Sequence, residues 1–416
     1  MDNQFAQRAT IGSEGRLAQL FGGQLGNQGI KFSAGNPDPN SFPTDRMGTA
    51  INSVLHQTGN QLFEYQTVVG PNSLRTQLAK RMEKTADIAT SADQILLTAG
   101  GQQALDLVGK LLLNPGDEVA VEAPTYVGAL AAFDQYEPTY YDIELADDGL
   151  DIDQLERTLR QHPHIKLLYT VPDFHNPTGI TMSIDKRQRL VQLADQYDFY
   201  ILEDTPYRDL SYVGSPLPAI KSFDRAGRVI FISSFSKILM PGLRLGWVTA
   251  SPTIVNKLRQ LKETNDLESP ALMLAAVDEF MKTNDLDHHI ATLLPSYHQR
   301  LTTMIDALDE MMPKSVHFTR PTGGFFIWVT LPTGFNAADI LDQVVIPQAQ
   351  VSYVPGRVFY AHQNVTNTFR LNFSGVEPTE IITGVTRLTN VLIPLLSQPT
   401  TFKAAAPVKS TVQNHH

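Results

Sequence analysis

Residues Ile232-Ser-Ser-Phe-Ser-Lys-Ile-Leu-Met-Pro-Gly-Leu-Arg-Leu-Gly-Trp247 decide how the rest of the chain is read. The apolar run Val229-Ile-Phe-Ile232 leads into them and reads as a buried strand. It ends in three serines around Phe235 and one lysine, Lys237, set among apolar neighbours. Desolvation disfavours an ammonium, so such a lysine is held toward its neutral, nucleophilic form, which a Schiff base with an aldehyde requires. Seven residues further on, Arg244 offers a planar fork suited to phosphate, and Ser234 and Ser236 offer hydroxyls. The stretch suits an aldehyde that carries a phosphate.

Composition narrows the field around that stretch. A chain of 416 residues with 42% apolar and 18% charged content has the material for a large buried core, and such lengths usually divide into two domains. Its net charge of −10 argues against nucleic acid or anionic lipid as the main partner. With no cysteine, disulfides, thiolate metal sites and cysteine nucleophiles are excluded. The opening Met-Asp-Asn-Gln-Phe-Ala has no basic-then-apolar signal, and no run approaches the roughly 18 apolar residues of a membrane span. A cytoplasmic protein is expected, with no membrane association. The pairs His162/His164 and His288/His289 lack the i, i+4 spacing of a helical zinc site, and no metal is expected.

Other strands end in residues that carry chemistry. Gln94-Ile-Leu-Leu-Thr-Ala-Gly-Gly-Gln-Gln103 runs into a glycine pair and then a helix marked by Leu105, Val108, Leu111 and Leu112. Free amides at a helix start, unobstructed by side chains, form a phosphate site. Glu118-Val-Ala-Val-Glu122 leads to Ala-Pro-Thr-Tyr126, and Leu167-Leu-Tyr-Thr-Val-Pro172 to Asp-Phe-His-Asn-Pro-Thr-Gly179. Phe199-Tyr-Ile-Leu-Glu-Asp204 places a carboxylate at a strand end with Tyr207 just beyond, and Thr368-Phe-Arg-Leu-Asn-Phe-Ser374 carries Arg370. Taken singly, Asp204 is as good a helix cap, Tyr126 a core aromatic and Arg370 an ion-pair partner.

Together and in this order, the glycine pair, Asn-Pro-Thr-Gly, Asp-x-x-Tyr, Ser-x-Ser-Lys with its arginine, and Arg-Leu-Asn-Phe-Ser resemble the fold-type I pyridoxal-phosphate aminotransferases of the class I/II branch. The likeness covers roughly residues 30 to 395 and is strongest toward 2-aminoadipate, kynurenine, aromatic and branched-chain aminotransferases. It implies pyridoxal 5'-phosphate linked to Lys237, with Asp204 on the ring nitrogen, Tyr126 flat against the ring, and Asn176 and Tyr207 sharing the phenolic oxygen. Ser234, Ser236 and Arg244 would hold the phosphate. Many members carry a serine or threonine where this chain has Gly101, which leaves the backbone amides of Gly101 and Gln102. Gly35, in the proline-fixed segment Phe32–Pro43, would lie over the substrate, and Arg370 would grip its α-carboxylate. Tyr65, which opens a segment ending Gly-x-x-x-Leu-Arg, would cross to the partner's phosphate in a homodimer with shared active sites.

The fold implied is α/β: a mainly parallel sheet between helices, with a smaller α+β domain built from both termini. The expected division is an arm with part of the small domain at 1–45, a cofactor-binding domain at 46–285, a small domain at 286–398 and a disordered tail at 399–416, with Asp285 to Pro295 as linker. The activity implied is ping-pong transfer of an amino group from an L-amino acid to a 2-oxo acid such as 2-oxoglutarate. Arg16 in the arm is a candidate for a distal carboxylate. The same fold also supports β-elimination, decarboxylation and cyclopropane-carboxylate synthesis. A regulator with an aminotransferase-like sensor fits less well, because only a short polar stretch precedes Phe32 and the chain is acidic.

Overall fold

Runs of aliphatic residues with neighbours buried on both faces build the central sheet. The structure, a computed structural model, describes residues 4–9, 25–26 and 28–397, so Arg16 and the 399–416 tail lie outside the described residues. After a two-residue strand β1 (Ile30–Lys31) come β2 (Ile95–Thr98), β3 (Glu118–Ala123), β4 (Thr139–Ala146), β5 (Gly149–Leu150), β6 (Ile165–Thr170), β7 (Tyr200–Asp204), β8 (Val229–Ser234) and β9 (Gly246–Thr249). From β2 to β9 they form one eight-stranded sheet in the order β2-β9-β8-β7-β6-β3-β4-β5. The block β8-β7-β6-β3-β4 is parallel throughout. Strand β9 runs against both β2 and β8, so β2 points the same way as the parallel block. The carboxyl ends of β2, β3, β6, β7 and β8 therefore open on one edge of the sheet, where ligands bind in open α/β folds.

Successive residues of these strands pack into different cores, as a pleat of period two requires. Val119, Val121, Leu167, Tyr169, Leu202, Ile230 and Ile232 join the layer that includes helices Gly101–Leu112, Val127–Phe133 and Pro252–Asp266. Ala120, Leu168, Ile201 and Val229 turn to the other side, against helices Ile152–Gln161 and Ile184–Tyr197.

A second, antiparallel sheet is ordered β10-β11-β14-β13, from β10 (His317–Phe318), β11 (Phe326–Thr330), β13 (Val354–Pro355) and β14 (Thr368–Asn372), while β12 (Val351–Ser352) pairs in parallel with β1. Its core takes Ile30 and Phe32 from near the N-terminus and residues from Leu301 to Leu392. Phe369 and Leu371 face that core, so Arg370 between them faces away from it.

One local expectation is corrected. The stretch from Asp285 to Pro295 is not an irregular linker: Asp285 caps an unbroken helix, Leu286–Met311, accepting from the His288 amide at 3.0 Å, with Pro295 inside it. Leu286, Ile290, Leu293 and Tyr297 of this helix pack into the core that holds Phe235 and Trp247. Leu301, Met304, Ala307 and Leu308 pack into the small-sheet core. The segment after Asn336 is α-helical only over Ala337–Ile340 and widens to a π-helix over Leu341–Ala349, where Pro347 has no amide hydrogen to donate. Among the described residues no helix is long and apolar enough to cross a membrane, and no cluster of three metal-ligating side chains occurs.

Candidate active site

Strand β8 delivers Ser234 and then Lys237 to the open edge. Lys237 Nζ donates to the Gly35 carbonyl at 2.8 Å, which brings the extended N-terminal segment directly over the lysine. Burial, and then the positive charges of Arg370 and Arg244, lower the Lys237 pKa to about 8. Ser234 Oγ sits 2.8 Å from Ser236 Oγ and 3.1 Å from the Leu245 carbonyl, which fixes the serine turn.

At the end of β2, Gly100 stands as the N-cap of helix Gly101–Leu112 with φ of 81°, a conformation that favours glycine, and offers no capping side chain. A Cβ on Gly100 would lie 2.6 Å from Arg244 Nη2, whereas one on Gly101 would meet nothing within 4 Å. The start of the helix thus has open space on the Cβ side of Gly101, beside a guanidinium that donates to the Ala99 carbonyl at 3.1 Å. A supporting chain lies behind this loop. The Ala99 amide donates to Gln103 Oε1 at 2.8 Å, Gln103 Nε2 donates to Asp266, and the fully buried Lys262 pairs with Asp266 at 2.7 Å. Gln102 donates its side-chain amide to the Gly128 carbonyl at 2.8 Å. A Cβ on Gly128 would fall 2.4 Å from Tyr126 Cζ, so the Tyr126 ring lies over a surface only glycine leaves free.

Asp204, at the end of β7, is buried and accepts from the Tyr169 phenol at 2.8 Å. Burial pushes its carboxyl up to about 7, and the Tyr169 hydrogen bond pulls the other way. The Asp204 charge in turn raises the phenols of Tyr126 and Tyr207, after burial as the larger cause, and Tyr126 reaches about 12.

Arg370 reaches the same space from the small sheet. Its Nη1 donates to Asn176 Oδ1 at 2.8 Å and its Nη2 to the Ser33 carbonyl at 3.1 Å. The guanidinium carbon lies 4.2 Å from the Phe326 ring centroid and 5.0 Å from that of Phe359. Burial lowers the Arg370 pKa to about 10, and its Nε is enclosed with no hydrogen-bond partner among the described residues. A Cβ on Gly35 would come within 3.9 Å of Arg370 Nη2, and Asn176 Nδ2 is 3.5 Å from the Tyr207 hydroxyl. Lys237, Gly35, Arg370, Asn176 and Tyr207 are thereby joined in one chain of contacts. Tyr65 stands apart: it is 87% exposed, beside Phe63 at 69% and near Leu267 at 59%, with the Gln66 amide donating to Glu268 to tie the two segments together.

The family model for aminotransferase class I and II matches residues 27–388. The chain belongs to that family. It is similar to aromatic-amino-acid aminotransferase 1 of Thermococcus litoralis, 42% identical over 87% of this chain and 88% of that one. It is also similar to the 2-aminoadipate transaminase of Thermus thermophilus, 35% identical over 88% of this chain and 91% of the other. The crystal structure of Pyrococcus horikoshii kynurenine aminotransferase superposes with a TM-score of 0.88 at 38% identity, covering 94% of this chain and 98% of that one. This aminotransferase is therefore a pyridoxal-phosphate-dependent enzyme of fold type I. The residues present fit the cofactor: a glycine cradle beside Arg244 for an anion, a buried carboxylate with no neighbouring cation among the described residues for a protonated ring nitrogen, and an amine of lowered pKa for an aldehyde.

The sequence does not single out Tyr169, Gly100, Gly128, Phe326 or Phe359 as site residues; Tyr169 and Gly100 lie within motifs quoted above and Gly128 two residues past Tyr126, whereas Phe326 and Phe359 lie in none of them. Gly100 had a signal, as the first member of the glycine pair. The others depend on which strands are neighbours and in what register.

Proposed function

We propose that this aminotransferase acts on L-amino acids with aromatic or long apolar side chains, with the named residues in the following roles. Bound pyridoxal phosphate supplies an aldehyde and an electron-withdrawing pyridine ring that together make the substrate's Cα proton acidic. Gly101 and Gln102 amides, Ser234, Ser236 and Arg244 bind the phosphate, Tyr126 orients the ring plane, and Asn176 and Tyr207 hold the phenolic oxygen. Asp204 keeps a proton on the ring nitrogen. Lys237 anchors the cofactor at rest and, once displaced, takes the proton from the substrate's Cα, a task its lowered pKa suits near neutral pH. Gly35 and the segment around it cover the site and limit water access.

The observation that carries the substrate class is the wall around Arg370. Its guanidinium is held between Phe326 and Phe359, and Phe359 continues into a cluster with Trp328, Val358 and Tyr360 that also touches Tyr126. An α-carboxylate paired with Arg370 therefore has aromatic surface beside it, which favours apolar side chains. The aromatic and kynurenine activities named for two relatives support the same range, whereas the 2-aminoadipate named for a third carries a second carboxylate. A panel of L-amino acids assayed against 2-oxoglutarate tests this, with phenylalanine, tyrosine and leucine expected ahead of serine and aspartate. Keto-acid release without an acceptor, accompanied by ammonia, would instead mark an eliminating enzyme.

Arg370→Lys should raise KM for amino acids on the order of tenfold to a hundredfold while leaving the cofactor absorbance unchanged, because an ammonium does not reproduce the two-point grip. Equal weakening of an amine substrate that has no carboxylate would contradict the assignment.

The exposed Tyr65, Phe63 and Leu267 support a homodimer in which Tyr65 reaches the partner's phosphate site. Lys237→Ala and Tyr65→Ala proteins, mixed and allowed to exchange subunits, then form hybrids with one intact site each. Random exchange should restore up to about a quarter of wild-type activity per total site. Confirmed exchange with activity no better than the parents' average would place Tyr65 in its own chain's site.

A further inference from the structure

We infer that Tyr169 is a positioning residue for Asp204, holding one carboxylate oxygen so that the other is presented, ionised, to the cofactor's ring nitrogen. This rests on the proposal above that Asp204 faces that nitrogen.

The sheet register places the pair. Tyr169 of β6 lies opposite Leu202 of β7, and Asp204 is two residues beyond Leu202. Residues two apart on a strand share a face, so Tyr169 and Asp204 are diagonal neighbours on one face of adjacent parallel strands. The Tyr169 hydroxyl meets Asp204 Oδ2 at 2.8 Å, and no hydrogen bond among the described residues reaches Oδ1. Tyr169 is fully buried, and a buried phenol needs a partner for its one proton. Here the partner is a group proposed to touch the cofactor.

The groups facing Asp204 give the contact its importance. From β6 comes Tyr169, from the turn after β7 comes Tyr207, and from the turn after β3 comes Tyr126, while Glu122 of β3 acts on Tyr169 from behind. None of these is a cation. With burial raising the Asp204 pKa to about 7, the phenol's hydrogen bond is the influence that favours the charged form. Burial holds Tyr169 itself well above the usual phenol range, so it stays a donor at any working pH. A protonated Asp204 would have no charge with which to retain a proton on the pyridine.

Tyr169→Phe separates this role from packing. The ring meets Phe133 edge-on at 5.8 Å, and a phenylalanine keeps that contact while removing only the hydroxyl. The experiment compares apo wild type, Tyr169→Phe and Asp204→Asn for their dissociation constants with pyridoxal phosphate and with its carbocyclic analogue, in which C–H replaces the ring nitrogen. Tyr169→Phe should weaken pyridoxal phosphate on the order of tenfold and shift the 15N resonance of its ring nitrogen toward the unprotonated position, while analogue binding moves less than about twofold. Asp204→Asn should show the same selectivity, more strongly. If Tyr169→Phe weakens both ligands equally, Tyr169 is only a packing residue and the inference is overturned. If Tyr169→Phe changes nothing while Asp204→Asn is selective, the inference again fails but Asp204 keeps its role. If Asp204→Asn does not discriminate between the ligands, the Asp204 assignment fails and the inference with it.

Discussion

Lys237→Ala should leave a folded protein that still takes up pyridoxal phosphate but is slower than wild type by roughly 10⁴-fold or more. Two functions are lost together: the covalent anchor and the base that moves the Cα proton, and base catalysis alone is worth about 10² to 10⁴. Noncovalent binding persists because the glycine cradle, Arg244 and Asp204 are untouched by the substitution. Borohydride reduction of the wild-type protein followed by peptide mapping checks the anchor, and a label on any other lysine would refute it. The lowered pKa adds a pH signature. The neutral, nucleophilic fraction of the Lys237 amine shrinks as pH falls below about 8, so covalent capture of the cofactor by the apo protein should accelerate as pH rises through that value.

Asp204→Ala is expected to bind the cofactor with a changed spectrum and to lose on the order of 10² or more in the rate of Cα deprotonation. The reason is electrostatic. A buried carboxylate facing a pyridinium stabilises it strongly, and a neutral pyridine withdraws electrons poorly from the carbon that loses its proton. Single-turnover kinetics with a 2-deuterated amino acid isolate that step. Near-normal deprotonation in the variant would remove Asp204 from the mechanism.

Much of this site was legible because the chemistry sits where apolar runs stop. Asp204, Lys237, Asn176, Tyr126 and the glycine pair each follow a strand of continuous buried residues, and parallel topology gathers such ends on one edge. Arg370 was legible only through the family resemblance; the structure adds that Phe369 and Leu371 face the small-sheet core and so turn Arg370 away from it. Tyr169 was not, because its partner is fixed by the pairing of β6 with β7, and a strand's sequence does not state its neighbour. Gly128 was hidden for a similar reason: the need for glycine there comes from the Tyr126 ring folding back over it. The expected linker, Asp285 to Pro295, is helical from Leu286 instead, although Pro295 lies within it. Buried Leu286, Ile290, Leu293 and Tyr297 supply a helical stripe that outweighs one missing amide.

That same helix, Leu286–Met311, determines how the protein comes apart. Its first turns are anchored in the core around Phe235 and its later turns in the core of the small sheet, with no loop between them. Melting either core strips one half of a continuous helix of its packing, and a helix deprived of tertiary contacts is marginal in water. The two cores should therefore denature in a single cooperative transition. A fragment severed at this helix would expose an apolar stripe, Leu286 to Tyr297 on one piece or Leu301 to Leu308 on the other, and would tend to aggregate rather than fold alone.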